Sequence, residues 1–318
     1  MSPSCQYCGS GSTRLIFHVQ HSELQRSTFF ECGNCHVYFL HPLPSTEQLQ
    51  KAYDEHYYGV QNRKFTPGVQ WIREAALHGR IRQFQKLIQQ PAHVLDIGCG
   101  DGSFLQALSR RGNFVCGTEL PGKAADRAAA VPELKLHLEP ITSHTFPPDS
   151  FDAIYLWHVF EHLQSPLEYL DWISKWLRPN GFLILALPNS RSWQSRLFRG
   201  YWFHLDPPRH ISLPPFEAIL AQARTRGFVL HSCNTLSLEQ NIFGYLQSFL
   251  NLLWPQRDIL YDWLKGNSRL SAAILGQLLL TLSFCPFAIA LTLLEAGRNA
   301  GGVLELVFKK SEASLLSD

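Results

Sequence analysis

From residue 94 onward, apolar positions arrive in short unbroken runs separated by stretches with helical spacing. The runs are Val94–Ile97, Phe114–Thr118, Leu134–Leu138, Phe151–Leu156, Phe182–Leu187 and Phe228–Cys233, and a last one, Gly302–Phe308, follows a glycine-rich turn. Runs of this length bounded by turn residues predict strands buried on both faces. Between them the clearest helix spans Leu167 to Leu177, where Leu167, Leu170, Ile173, Trp176 and Leu177 recur at helical spacing until Pro179, Asn180 and Gly181 stop it. Alternating strand and helix predict an α/β fold with a parallel sheet covered on both faces.

The flanks read differently. Residues 1–42 carry three short strand patterns, Leu15–Val19, Thr28–Glu31 and Val37–Leu40, closed by Pro42 and Pro44. A polar stretch through Tyr57, Tyr58 and Gly59 leads to a helical pattern from Gly68 to Gln90, ended by Pro91. The predicted organisation is a small module at 1–42, a linker and lead-in helix at 43–92, the α/β domain at 93–310 and a tail at 311–318. Within that domain, residues 241–296 form an apolar helical insertion before the last strand. There, Arg269 and Glu295 bracket 25 uncharged residues, long enough to cross a bilayer, though Pro286 interrupts them.

Composition sharpens this picture in two places. Of the 318 residues 45% are hydrophobic and only 17% charged, below the roughly 25% charge of an average soluble domain, so extra apolar surface has to be accommodated somewhere. The net charge is +2, and basic residues are scattered apart from Arg80, Arg82, Lys86 and Arg191, Arg196, Arg199. That is a weak footprint for nucleic acid, which is not the expected partner. Four of the eight cysteines form two tight knuckles, Cys5-x-x-Cys8 and Cys32-x-x-Cys35, separated by 23 residues. Four thiolates at this spacing suit a tetrahedral structural zinc, and a unit of about 40 residues needs such a staple. Four free thiols are the plainer alternative. Cys99, Cys116, Cys233 and Cys285 stand singly in apolar surroundings. With no basic stretch leading into an apolar one at the N-terminus, the expected location is cytoplasmic and reducing.

The strongest chemical signal is the run Val94-Leu-Asp-Ile-Gly-Cys-Gly-Asp-Gly-Ser-Phe-Leu105, an apolar strand, a glycine turn and then a helix. Gly98 and Gly100 permit the tight turn and the close approach of a ligand to helix N-terminal amides. A dinucleotide site wants a third glycine at position 103, which is Ser; it falls instead at 102. Glu119, roughly 20 residues on at the end of the next strand, is placed to accept hydrogen bonds from two ribose hydroxyls. Either feature alone is often only a turn or a solvated acid. Together they resemble the class I, Rossmann-like S-adenosylmethionine-dependent methyltransferases. The resemblance extends through Phe151–Ile154, the turn Trp157-His-Val-Phe-Glu-His162 and Leu177-Arg-Pro-Asn-Gly-Phe182, covering about 94–308. It implies a seven-stranded sheet and S-adenosylmethionine held by Asp96, Gly98, Gly100 and Glu119, with Ile141 and Trp157 near the adenine and Cys99 packed beneath the turn. Trp157 reads equally as a core aromatic.

Methyl transfer from a sulfonium is an in-line displacement, so the enzyme supplies alignment, and a base where the nucleophile must lose a proton. His158, Glu161 and His162 share one face if their turn is helical. In ubiquinone-pathway-like O-methyltransferases a similar turn reads E-x-x-E-H and is implicated in a divalent metal site; here His158 replaces the first Glu. The plainer reading has Glu161 and His162 capping local backbone. His204 and His210, in Trp202-Phe-His-Leu-Asp-Pro-Pro-Arg-His210, occupy the region where family members place an acceptor-facing lid, and the alternative is a structural loop. The expected activity is methylation of a small-molecule or lipid-linked acceptor, oxygen favoured, with carbon and nitrogen open. The turn after the fourth strand lacks the N-P-P-Y or D-P-P-Y pattern of base-amine methylation. A similar ribbon and linker with a tyrosine pair occurs in methyltransferases of small-molecule, sugar and envelope biosynthesis. The rivals are an RNA methyltransferase guided by the zinc ribbon and a cofactor-binding scaffold without turnover. Since the strand after it must rejoin the sheet, the 241–296 insertion cannot cross a membrane once. It is expected either to lie on one peripherally, as a hairpin bent at Pro286, or to cover the pocket or form a homodimer interface.

Overall fold

The computed structural model describes residues 2–22, 25–53 and 67–312; the tyrosine pair Tyr57 and Tyr58, with Gly59, and the tail beyond 312 lie outside the described residues. Strands β1 (Thr13–Ser22), β2 (Gln25–Cys32) and β3 (Tyr38–Leu40) are followed by helices α1 (Thr46–Ala52) and α2 (Pro67–Leu87). The central unit runs β4 (His93–Ile97), α3 (Ser103–Ser109), β5 (Phe114–Thr118), α4 (Lys123–Ala129), β6 (Lys135–His137), β7 (Phe151–Trp157), α5 (Pro166–Trp176) and β8 (Leu177–Pro188). Then come α6 (Trp193–Phe198), β9 (Ser212–Leu213), α7 (Phe216–Arg224), β10 (Phe228–Asn234), α8 (Leu238–Leu253), α9 (Ile259–Leu264), α10 (Ala272–Ala296) and β11 (Val303–Lys310).

Seven strands form one sheet in the order β10-β11-β8-β7-β4-β5-β6. All are parallel except β11, which pairs antiparallel with both β8 and β10. All seven expected strands are present. Successive crossovers from β4 run first toward β6 and then restart at β7 on its other side. The carboxyl ends of β4 and β7 therefore flank the switch point, where α/β sheets bind ligands. Leu95, Ile154, Leu156, Leu183 and Leu185 are fully buried beneath the helices, each stabilising the sheet by about 1.5–3 kcal/mol. The stripe Leu77, Ile81, Phe84 and Ile88 seats α2 on a second core with Val94, Ala153, Tyr155 and Ile184, the strand residues that alternate with those.

Two elements depart from expectation. The insertion's apolar stretch is one continuous helix, α10, with Pro286 inside it rather than a hairpin. Proline there removes only the hydrogen bond to the Leu282 carbonyl, at one of the helix's most exposed positions, so the chain has no need to reverse. The N-terminal module also does not stand free. Its sheet has the order β1-β2-β3-β9, so the fourth strand comes from the α/β domain, pairing Tyr38 with Leu213 and Phe39 with Ser212. Cys233 is exposed, not apolar-packed.

Candidate active site

The glycine turn leaves β4 with Gly98, Gly100 and Gly102 all at positive φ, 71°, 60° and 72°. A Cβ at Gly98 would lie 2.5 Å from Val159 Cγ2, so this glycine lets the turn after β7 close against the turn after β4. Gly98 and Cys99 amides donate to the Thr118 carbonyl at 2.8 and 2.9 Å. Gly100 donates to Glu119 Oε2 at 2.6 Å and Leu120 to Oε1 at 2.9 Å, bringing the strand-end carboxylate onto the glycine turn. A Cβ on Gly100 would meet nothing within 4 Å, so that side of the turn is open. Cys99 packs beneath, its sulfur against Gly117, and burial pushes its thiol up.

Asp96 is buried, with one carboxylate oxygen 2.9 Å from Arg80 Nη2 and the other without a partner. Arg80 comes from α2, its guanidinium 3.8 Å over the Phe104 ring and 4.7 Å from that of Trp157, while its Nε has no partner either. Burial pushes Asp96 up to about 6 against the attraction of Arg80, and the Glu119 carboxylate adds to the rise. Sequence reasoning missed Arg80 as a site residue, although it sits three after Leu77 and four before Phe84, beside the buried stripe of α2. Trp157 is half-buried against Arg80, and Ile141 is buried in the main core.

On the other side of the switch point, His158 has φ 55° and its amide donates to the Ala186 carbonyl at 2.8 Å. A single 3-10 turn, Phe160–His162, follows. Glu161 is fully buried, neither carboxylate oxygen has a hydrogen bond, and Oε1 lies 3.4 Å from His158 Nδ1 and 3.9 Å from His210 Nε2. Burial alone would raise Glu161, yet His158, His162 and His210 around it hold it down near about 2. His162 Nδ1 donates to the Arg209 carbonyl at 2.9 Å, and His210 Nδ1 to the His204 carbonyl at 2.7 Å. Burial and its neighbour His210 push His162 down to about 4. The 206–210 turn is fixed by the Asp206–Arg209 pair and by Arg209 donating to the Ala52 carbonyl at 3.2 Å. His204 goes elsewhere. Its ring lies under α8, where a Cβ on Gly244 would come within 2.9 Å of its Nε2, and burial pushes it down to about 3. The structure thus gathers His158, Glu161, His162 and His210, while His204 supports His210 through its carbonyl.

In the N-terminal module, Cys5, Cys8, Cys32 and Cys35 converge, with Sγ separations of 3.5 Å for Cys5–Cys35 and for Cys8–Cys32. Tetrahedral zinc with bonds of about 2.3 Å needs sulfurs somewhat under 4 Å apart. Amides of Tyr7 and Asn34 point at the Cys5 and Cys32 sulfurs at 3.4 Å, where they would support thiolates bound to a cation. The four residues fit zinc.

The family model of the methyltransferase domain matches residues 69–232, more than half of the chain. The chain belongs to this methyltransferase family. Among similar proteins are the ubiquinone biosynthesis O-methyltransferase of Bradyrhizobium diazoefficiens, 30% identical over 39% of this chain and 51% of that one, and the tRNA U34 carboxymethyltransferase of Hahella chejuensis, 32% identical over 29% of this chain and 31% of that one. The chain spans about half the length of the first and a third of the second. In fold it is similar to the [4+2]-cyclase SpnF, with a TM-score of 0.51 at 16% identity over 85% of this chain and 97% of that one. It is also similar to the complex of the Haloferax volcanii Trm112 methyltransferase activator with a methyltransferase, with a TM-score of 0.50 at 15% identity over 76% of this chain and 92% of that one.

The glycine turn fits S-adenosylmethionine, the donor that the sequence resemblance implies. The donor's amino-acid end carries one cation and one anion, and the turn offers an orphaned carboxylate oxygen on Asp96 and an orphaned N–H on Arg80. Glu119, on the open side, suits the ribose. Bound there, the sulfonium supplies an activated methyl group. An ammonium binds the ionised form of Asp96, so donor affinity should fall as pH drops through about 6, approaching tenfold per unit below it. Stability moves the other way: a raised carboxyl contributes fully below about 4 and loses that contribution as pH rises through about 6. Calorimetric titration of the donor at pH 5 and 7.5 checks this, and Asp96→Asn should flatten the difference; an equal slope in both proteins would assign it to another group.

Proposed function

We propose that the methyltransferase transfers the donor methyl to an oxygen of a lipid-linked or lipophilic small molecule, working while docked peripherally on a membrane surface from the cytoplasmic side. The supporting observation is α10. Its residues Leu275, Leu279, Leu282, Phe287, Leu293 and Leu294 are at least half exposed, while only Ile274, Gln277, Ala288, Thr292 and Glu295 are buried. Among the described residues it is the one helix long and apolar enough to cross a bilayer. Crossing is at odds with how its ends are held. At the C-terminal end Glu295 accepts from Tyr245 Oη at 2.7 Å and from the Gly302 amide at 3.2 Å, just before β11 enters the sheet. At the other end α9 packs Tyr261 against Phe203 and Phe243. A helix tethered twice to one domain lies along the membrane, its apolar side in the headgroup boundary. On its protein side α10 stacks Phe284 on Phe249 of α8, and α8 covers the loop carrying His204 and His210. The lipid surface and the acceptor side are thereby neighbours.

The O-methyltransferase relative supports an oxygen acceptor, and the tRNA relative keeps RNA in view. Incubating the protein with labelled donor and cell extract should put the label in the organic-soluble fraction; label in RNA would replace this reading, and no labelled product would leave a donor-binding scaffold. In vesicle flotation the wild type should rise with phosphatidylethanolamine–phosphatidylglycerol vesicles and Leu282→Asp/Phe287→Asp should stay below. A wild type that stays below, or that sediments as a dimer losing its dimer contact in the same variant, overturns the membrane reading.

A further inference from the structure

We propose that Glu305, steadied by Asn234, is a specificity-determining residue of the acceptor site and accepts a hydrogen bond from an acceptor hydroxyl other than the one methylated. The inference rests on the small-molecule oxygen acceptor proposed above and adds which further group the site selects. Strand register carries it. Trp157 of β7 pairs with Ala186 of β8, Ala186 with Glu305 of β11, and Glu305 with Asn234 of β10. Register partners share a sheet face, so these four side chains form one row. The next row inward on that face is Asp96, Tyr155, Ile184 and Val307, of which Tyr155, Ile184 and Val307 belong to the core beneath α2. The apolar core therefore ends at the Trp157–Asn234 row, on the face where Arg80 reaches Asp96.

A half-buried acid at that boundary needs a reason. Burial raises the Glu305 carboxyl above its ordinary range, against the Asn234 hydrogen bond and the pull of His158 and Arg80. If the position served packing alone, an apolar β-branched residue would suit the strand better. Glu305 Oε2 accepts from Asn234 Nδ2 at 3.1 Å, the one hydrogen bond its carboxylate makes among the described residues. Asn234 is itself fixed, because its Oδ1 accepts from the Leu236 amide at 3.0 Å and its Nδ2 also donates to the Leu236 carbonyl at 3.2 Å. The carboxylate is thus aimed from one side and keeps acceptor capacity at Oε1.

Distance decides the role. Strands lie about 4.8 Å apart, so the Glu305 backbone, two strands from Trp157 and three from Asp96, is about 10 Å from the first and about 14 Å from the second. Asp96 and Arg80 hold the donor at β4, so the reacting oxygen sits nearer β7 than Glu305 can reach. Glu305 is accordingly not the base. It stands about one ring further out, where it meets a second substituent of the acceptor. Arg80 and His158 already draw on its charge, which disfavours another cation and leaves a neutral hydroxyl as the fitting partner. A site that bonds a hydroxyl rejects analogues lacking it, since its buried acceptor is then left unpaired.

The test uses the full chain, labelled donor and cell extract, with extract concentration as the variable. Glu305→Leu should raise the extract needed for half-maximal rate by at least about tenfold, with the limiting rate within about threefold and affinity for S-adenosylhomocysteine unchanged. Glu305→Gln keeps an acceptor oxygen and should restore most of the loss. The labelled wild-type product should also take an acetyl group from acetic anhydride that mild base removes, as it does from an ester and not from an amide. The proposal is overturned by unchanged half-saturation in Glu305→Leu, by a fallen limiting rate at unchanged half-saturation, or by parallel loss of S-adenosylhomocysteine binding. No recovery in Glu305→Gln, or a product that takes no such acetyl group, overturns it equally. Label in RNA removes the small-molecule reading alone, while the half-saturation comparison still decides Glu305; no label in any fraction overturns both.

Discussion

Gly98→Ala should lower S-adenosylmethionine affinity by at least about thirtyfold, some 2 kcal/mol or more. Two costs fall on this position together. An L-residue at φ 71° is disfavoured by about 1–2 kcal/mol. The new Cβ would also sit 2.5 Å from Val159 Cγ2, and overpacking of this kind costs about 1–3 kcal/mol. Relief comes from moving Val159, which displaces the very turn that must close against the donor site. Gly112→Ala is the control: it too has positive φ, 81°, but meets nothing within 4 Å. It should lower the melting temperature slightly and leave affinity alone. Calorimetric titration beside thermal melts separates the two, and a Gly98→Ala protein within threefold of wild type would refute this account of the turn.

The donor half of the site was legible in the sequence because it is local. Strand, glycine turn, helix and strand-end acid all lie between Val94 and Glu119, and the spacing that fixes their geometry is written in consecutive residues. The seven strands were legible for the same reason, as buried parallel strands need unbroken apolar runs. What escaped depends on contacts between distant segments. Arg80 is one arginine among several on α2, and only docking of the Leu77–Ile88 stripe aims it at Asp96. Strand β9 is two residues long, too short for any periodicity, yet it joins the N-terminal module to the α/β domain. His204 and His210 look equivalent along the chain, and packing of α8 at Gly244 over the His204 ring is what sets that ring apart from His210, which faces Glu161. Pro286 reads as a break along the sequence, yet a proline costs a helix one hydrogen bond without forcing the chain to turn back, and α10 runs through it.

Loss of the cysteine-bound cation should disable methyl transfer while sparing donor binding. Structural zinc contributes about 10–16 kcal/mol of folding free energy in small modules, far more than a unit of this size gains from its own core. Without it the knuckles holding β2 and β3 open, and β3 is what pairs with β9. His210 lies two residues before β9, and the Leu40 amide donates to the Ile211 carbonyl at 2.8 Å beside it. The Tyr7 hydroxyl reaches Ser212 from the same module. Unfastening this edge frees the loop bearing His210 but leaves β4, β5 and the glycine turn within their own sheet. Cys8→Ser should therefore reduce turnover by about tenfold or more, with donor affinity changed less than about threefold. A Cys8→Ser enzyme that turns over normally would show the module to be a passenger, and parallel loss of donor binding would show instead that the whole domain had come apart.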